Sequence, residues 1–211
     1  MAAHNDRWSL VVPVKRLEVA KSRIALAAAD RADLALAMAA DTVAAAVACS
    51  QVGRIIIVTD DPRAVAVLVG ERITVVADAP DAGLNPALRH GAIAAAGGRV
   101  VAVSSDLPAL TPDALAAVLD AAGPHSRGVV ADESGIGTTV LSASSAAQFE
   151  PAFGAASFAV HRHGGSVDLT GLAAPSVRRD VDTLEGLREA MRLGVGEATQ
   201  RVVARLDGLL G

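Results

Sequence analysis

Both lysines of the 211-residue chain fall in one short segment, although 17 of its 19 basic residues are arginines. That segment, Val11-Val12-Pro13-Val14-Lys15-Arg16-Leu17-Glu18-Val19-Ala20-Lys21-Ser22-Arg23, sets four cations just behind an apolar run. A lysine ammonium is a compact, mobile charge suited to phosphate oxygens. No G-x-x-x-x-G-K-[ST] pattern accompanies it, so phosphates bound here would be held by side chains rather than a glycine cradle; the plainer reading is a solvated basic loop. Two acidic groups answer it. Ser104-Ser105-Asp106-Leu107-Pro108 ends the most apolar central run, and since Thr111-Pro112 already supplies the next helix cap, Asp106 is free for chemistry. In Arg178-Arg179-Asp180-Val181-Asp182-Thr183 an extended backbone sends Asp180 and Asp182 to the same side. Asp182 or Thr183 also suits a helix N-cap, which leaves Asp180 as the better candidate.

Were Asp106 and one of that pair to approach to about 4 Å, they would repel by about 4 kcal/mol at an effective dielectric near 20. A cation would relieve the strain, and a set of oxygen donors alone points to Mg²⁺, which uses one or two carboxylates together with substrate phosphates. His161 and His163 form an H-x-H without a third ligand; they read as structural, or as contacts to an anion, rather than as a zinc site. Gly135-Ile136-Gly137-Thr138-Thr139 lacks the third glycine of a dinucleotide fingerprint. It is either a plain hairpin turn or a place where bare N–H groups and the Thr138 hydroxyl meet an anion. Phe153-Gly154-Ala155-Ala156-Ser157-Phe158 offers the same choice, with Ser157 as an alternative turn cap. All three phenylalanines, Phe149, Phe153 and Phe158, lie here, and a loop packed by its own aromatics is held rigid. Asn85, before Pro86, is either a helix cap or a reader of a purine edge or phosphate. Asp61, before Pro62, reads mainly as a cap, and Cys49 as a small buried residue.

These groups need elements to position them. Short β-branched runs alternate with Ala-rich stretches, as when parallel strands are covered on both faces by helices. Strands are expected at Leu10 to Val14, Arg54 to Val58, Ile73 to Ala77 and Val100 to Val103. Helix starts are expected at Asp30, Asp61-Pro62, Asn85-Pro86 and Thr111-Pro112, proline being harmless in a first turn. The rhythm then changes: strands at Gly128 to Ala131 and Thr139 to Leu141, irregular or short helix over Gln148 to Gly165, a short strand at Val177 to Val181, and helix from Thr183. The chain is 52% hydrophobic and 20% charged with net charge −4. That composition excludes disorder and a general basic footprint for nucleic acid. Apolar runs are too short for a membrane span, and Met1 to Arg7 is too polar for a signal peptide, so a cytoplasmic protein is expected. One cysteine excludes a disulfide framework. The expectation is a single α/β domain over 1–211, a mixed sheet flanked by helices with a hairpin-bearing second half.

In order along the chain, V-P-V-K-R-L-x-x-A-K-S-R, G-L-N-P-A-L, S-D-L-P-A-L, G-I-G-T-T, F-G-x-x-S-F-x-x-H and D-V-D-T-L-E-G-L resemble the guanylyltransferases of coenzyme F-420 biosynthesis that act on phosphoenolpyruvate or 2-phospho-L-lactate. The resemblance covers nearly the whole chain. It implies a GT-A-like, Rossmann-like nucleotidyltransferase fold and Mg²⁺-dependent transfer of GMP from GTP to a phosphorylated three-carbon acid, with release of pyrophosphate. It also implies that Asp106 and Asp180 are metal-associated with Asp182 nearby, that Thr138, Gly154 and Ser157 hold the phosphoacid, and that Lys15, Lys21 and Arg23 meet the nucleotide phosphates. Ile136, Ile24 and Thr139 depart from the family's usual residues, which bears on the choice of acid rather than on the reaction class. A molybdopterin guanylyltransferase or GT-A sugar transferase would carry an L-A-G-G-type loop after the first strand, which Val11 to Lys15 is not. The remaining rival is a nucleotide-binding module without catalysis.

Overall fold

A computed structural model describes residues 7–19, 21, 23–95 and 98–210, so the reading of the N-terminus falls, apart from Arg7, outside the described residues. Four strands come first: β1 (Trp8–Pro13), β2 (Val52–Val58), β3 (Ile73–Val76) and β4 (Val100–Val103). They match the apolar runs closely and pair in parallel, with Leu10 beside Ile55 on one side and Val101 on the other. Every residue of β4 is buried, the pattern of a strand covered on both faces. The second half then reverses direction. β5 (Arg127–Ala131) and β6 (Thr138–Ala143) form the expected hairpin, and β6 inserts antiparallel between β4 and β5. With β7 (Val167–Asp168) beside β5, one seven-stranded mixed sheet runs β3-β2-β1-β4-β6-β5-β7.

This reversal decides where the loops go. Val140 of β6 pairs with Val103 at the end of β4, and the Ser104 N–H donates to the Thr139 carbonyl at 2.9 Å. The 132–137 turn therefore projects from the same edge as the loops that follow the parallel strands, the edge where open α/β sheets take their ligands.

Helices α1 (Ala28–Ala48) and α4 (Pro112–Ala122) cover one face, over Leu10, Val12, Ile55 and Val101. Helix α3 (Leu84–Ala94) covers the other, over Val11, Ile56 and Val58, with Phe149 in the same cluster. Gly91 is needed in α3 because a β-carbon there would lie 2.6 Å from Val11 and 2.8 Å from Val58. Short helices α2 (Pro62–Val67), α5 (Ser157–His163) and α6 (Pro175–Arg178) lie in the connections, and α7 (Leu184–Leu193) and α8 (Glu197–Leu210) close the chain. Among the described residues no helix is long and apolar enough to cross a membrane.

Asp61 and Thr111 cap α2 and α4 as expected, and Thr183 caps α7. Three expectations need correction. Helix α1 starts at Ala28 without a side-chain cap, and Asp30 lies within its first turn, 3.4 Å from Arg205. Gly83, at φ 98°, precedes α3, so Asn85 lies inside the helix and is not its cap. The expected strand over Val177 to Val181 is absent: Pro175 opens α6 instead, proline being pre-set for a first helical turn, and the residues after it run free of the sheet.

One carboxylate organises the C-terminal end. Asp41 of α1 is buried and accepts from the Ala198 and Thr199 N–H groups at 3.0 and 2.8 Å, capping α8 from a neighbouring helix. A β-carbon at Gly196 would strike it at 2.4 Å. Replacing a capping carboxylate costs about 0.5–2 kcal/mol, and stranding two N–H groups adds to that. Asp41→Ala is therefore expected to lower stability by about 2 kcal/mol and the Tm by about 4–8 °C, read by thermal circular dichroism.

Candidate active site

The cationic bend after β1 is fixed by a residue expected only to cap a helix. Asp61 uses Oδ1 on the Arg63 and Ala64 N–H groups and Oδ2 on that of Leu17, at 2.9 Å, tying the bend to the end of β2. Burial works against its charge, but those three donors outweigh it and hold the carboxyl below the usual range. The bend leads to Lys21, whose backbone takes the left-handed conformation, φ 54°. Its ammonium hydrogen-bonds Asp106 and, at 3.0 Å, Asp182.

Two acidic stretches thus converge on one cation. The turn carrying Asp106 is held from below by buried Thr42 of α1, whose hydroxyl accepts from the Leu107 N–H at 3.2 Å and donates to the Met38 carbonyl at 2.9 Å. The segment carrying Asp180 and Asp182 is pinned where the Val181 N–H donates to the Asp106 carbonyl at 3.1 Å. Burial of Lys21 opposes its charge, yet Asp106 and Asp182 prevail and raise its pKa. Arg23 also reaches Asp182, at 3.3 Å, but its side chain is 76% exposed and such a pair contributes little. A cavity of about 290 Å³ opens here, lined by Lys15, Lys21, Ser104, Ser105, Asp106 and Asp182 among others.

Asp180 is the unbalanced member. Burial, then the charges of Asp106, Asp132 and Asp182, push its carboxyl up to about 7. Asp132, at the end of β5, escaped the sequence reading, although it ends an apolar run just as Asp106 does. Among the described residues no three His, Cys, Asp or Glu side chains are gathered into an ion cage. Asp180 has no cationic partner among the described residues, and its carboxyl oxygens are the kind of donor that a hard divalent ion takes together with phosphate.

The second-half loops brace each other. Asp132 accepts from the Ile136 N–H at 3.0 Å and the Ser134 hydroxyl at 2.8 Å, and a β-carbon at Gly137 would meet its carboxylate at 2.5 Å. The Phe158 N–H donates to the Ile136 carbonyl at 3.1 Å. Thr138, Ser157 and His161 share a buried network: Thr138 Oγ1 lies 3.0 Å from His161 Nδ1 and accepts from Ser157 Oγ at 3.2 Å. Because His161 Nε2 accepts from the Ala152 N–H at 2.9 Å, the ring proton resides on Nδ1 and faces Thr138. Burial lowers the His161 pKa to about 4, so the ring is neutral at pH 7. Ser157 therefore belongs to this network and not to a side-chain cap of α5, whose N-cap is Ala156. Gly154, at φ 149°, lies in the same loop. Asn85 spends both ends of its amide on the Phe153 backbone, accepting at 2.7 Å and donating at 2.9 Å, and so ties α3 to that loop.

Lys15, Lys21, Asp106 and Asp182 line one cleft; Arg23 touches it only through Asp182, and Asp180, the preferred carboxylate of the sequence reading, is not among the lining residues. Thr138 and Ser157 share one network, and Asn85 belongs to neither. A family model described as "Guanylyl transferase CofC like" matches residues 8–207. The chain belongs to that guanylyl transferase family. A relative named phosphoenolpyruvate guanylyltransferase, from Streptomyces coelicolor, is 50% identical over 206 residues, covering 95% of this chain and 97% of its own. The fold is shared with a nucleotidyl transferase from Methanothermobacter, at TM-score 0.63 and 21% identity over 89% of this chain and 97% of that one. It is shared also with a Mycobacterium tuberculosis protein solved with manganese, at TM-score 0.50 and 18% identity over 88% of this chain and 98% of that one.

Within this CofC-like fold, the raised carboxyl of Asp180 has a measurable sign. Between its ordinary 3.8 and about 7 the folded chain holds a proton that the unfolded chain has released, so this group's contribution to stability falls as pH rises through that window. Asp180→Asn, measured without added metal, is expected to gain Tm on the wild type progressively from pH 4 to pH 8; a constant difference across that range would contradict the burial and charge argument.

Proposed function

We propose that the chain, as one nucleotidyltransferase domain over residues 1–211, transfers GMP from GTP to phosphoenolpyruvate or 2-phospho-L-lactate and releases pyrophosphate. The observation that carries this reading is the meeting of Asp106 and Asp182 on the Lys21 ammonium, at the strand ends and beside Lys15. A cleft with that mixture of charges suits a triphosphate and its counter-cation together. A cytoplasmic setting, with no nucleic acid or membrane as partner, goes with this reading.

The chemistry asks for alignment more than for proton transfer. An oxygen of the acceptor phosphate is already a nucleophile; it attacks the α-phosphorus of GTP, the bond from that phosphorus to the β-phosphate bridging oxygen breaks, and pyrophosphate leaves with the electron pair. No general base is needed. Lys15, Lys21 and Arg23 neutralise the nucleotide phosphates and the departing pyrophosphate. Asp106 and Asp180, with Asp182 beside them, would hold a divalent ion, Mg²⁺ in this reading, whose chemistry is to neutralise phosphate oxygens as a Lewis acid. Thr138, Gly154 and Ser157 hold the acid; the buried hydroxyl network and the loop anchored through Asn85 and Phe153 keep that surface rigid. Asn85, whose amide is spent on the Phe153 backbone, acts by placing the loop rather than by meeting the nucleotide.

Asp106→Asn is expected to lower pyrophosphate release by at least about 100-fold with an unchanged circular dichroism spectrum; wild-type turnover in that variant would refute the metal assignment. For Ser157→Ala the acceptor KM should rise about tenfold, the value of one lost hydrogen bond, with GTP binding nearly unchanged, and an unaltered KM would remove Ser157 from the acid site. Pyrophosphate release measured with four nucleoside triphosphates crossed against phosphoenolpyruvate, 2-phospho-L-lactate and 3-phosphoglycerate tests the whole reading. It fails if no combination turns over.

A further inference from the structure

Thr138 opens β6 directly after the 132–137 turn, on the ligand edge of the sheet, and there it meets Ser157 and His161 of α5; all three are buried. Their hydrogens can be counted. The Ala152 N–H can only donate, so the His161 Nε2 that faces it at 2.9 Å is a bare acceptor. A neutral ring carries one proton, which makes Nδ1 an N–H, and Nδ1 lies 3.0 Å from Thr138 Oγ1. Phe153 holds the ring in that pose, packing edge-on against it with centroids 5.2 Å apart, and Phe153 is itself anchored to α3 through Asn85.

Three donor hydrogens thus meet in two contacts. Nδ1–H fills the contact with Thr138, and the Ser157 hydroxyl fills the other, donating to Thr138 Oγ1 at 3.2 Å. The Thr138 hydrogen is left over; with the second contact reversed, the one left over belongs to Ser157. Among the described residues neither hydroxyl has a further partner to accept it, and a buried donor without an acceptor is costly. The opposite tautomer would build a different site. A bare Nδ1 would accept from Thr138, Ser157 would donate to Thr138, and both hydroxyl hydrogens would be consumed inside the protein, so that an arriving anion would meet lone pairs only.

We infer that His161 is a positioning residue for the phosphoacid: its Nδ1–H occupies the Thr138 oxygen and so turns one hydroxyl hydrogen of the Thr138–Ser157 pair outward, onto an anionic oxygen of the acid. This rests on the guanylyl transfer and the acid site proposed above, and it names the group that keeps the pair a donor. His161 itself touches neither the acid nor the nucleotide. Burial lowers its pKa to about 4, so the ring orders the hydroxyls at pH 7 without adding charge to the site.

The test joins spectroscopy to kinetics on the whole chain. Nitrogen NMR of the histidine rings at pH 7 should show His161 as the neutral Nδ1–H form with Nε2 bare; an Nε2–H ring overturns the inference without any variant having to fold. His161→Gln keeps an acceptor for the Ala152 N–H and removes the donor to Thr138, so the KM for phosphoenolpyruvate or 2-phospho-L-lactate should rise about fivefold while the Kd for GTP stays the same. Thr138→Val should raise that KM by itself, and adding His161→Gln to it should cost nothing more, because the ring acts through Thr138 alone. A wild-type acid KM in folded His161→Gln, or losses that multiply in the double variant, would mean that the ring only braces the loop and overturns the inference. If wild type releases no pyrophosphate with either acid, the guanylyl reading itself fails; wild-type turnover together with either of those results defeats this inference alone.

Discussion

Carboxylates from separate stretches of chain are brought to one edge of the sheet, and the repulsion among them is the constraint to which the rest of the site answers. Lys21 meets it for Asp106 and Asp182, two residues far apart in sequence that share one largely buried ammonium. A compact ammonium can hydrogen-bond two carboxylates at once, whereas a planar guanidinium is built to fork onto one. Among the described residues Asp180 has no such partner, and it answers by holding its proton toward neutrality. One ammonium thus offsets part of the charge of two carboxylates, and a third carboxyl nearby stays without a cation among the described residues.

Holding this arrangement together takes side chains that touch no substrate in the proposed reaction. Asp61 fixes the cationic bend through a backbone N–H, and Thr42 fixes the turn of Asp106 in the same manner. Such bonds from buried side chains to loop backbone let irregular segments sit against the core without stranded polar groups. The hydrophobic layers beneath, with alternate residues of β1 and β2 facing α1 and α3, supply the fixed platform.

The parallel strands were legible because buried parallel strands are nearly continuous β-branched runs, as in Ile55-Ile56-Ile57 and Val100-Val101. Asp61-Pro62 and Thr111-Pro112 were legible because a cap followed by proline has one good local solution. Asn85-Pro86 has the same local form and misled, since the Phe153 backbone, 68 residues on, claims the amide. Val177 and Val181 read as a strand, but Pro175 turns the chain before the sheet can take them. Lys21 is legible because both lysines of an arginine-rich chain share one segment, and Asp106 because it ends the apolar run of β4; Asp182 shows only through its alternation with Asp180, and its cap-like position before Thr183 ranks it second. Thr42 and Asp41, polar residues within an Ala-rich helix, gave no such signal, as their partners lie beyond any local pattern.

The antiparallel insertion of β6 has a practical consequence. The turn at 132–137 and the loop at 152–158 are bonded to each other, through Phe158 to Ile136 and Ser157 to Thr138, and both hang from the reversed hairpin rather than from the strands that bear the cationic bend. On the proposed reading, in which these loops hold the acid, exchanging the two stretches as a matched unit from a relative, together with the residue at Asn85 that anchors the Phe153 loop, would move acid preference while the cationic bend keeps its own sequence.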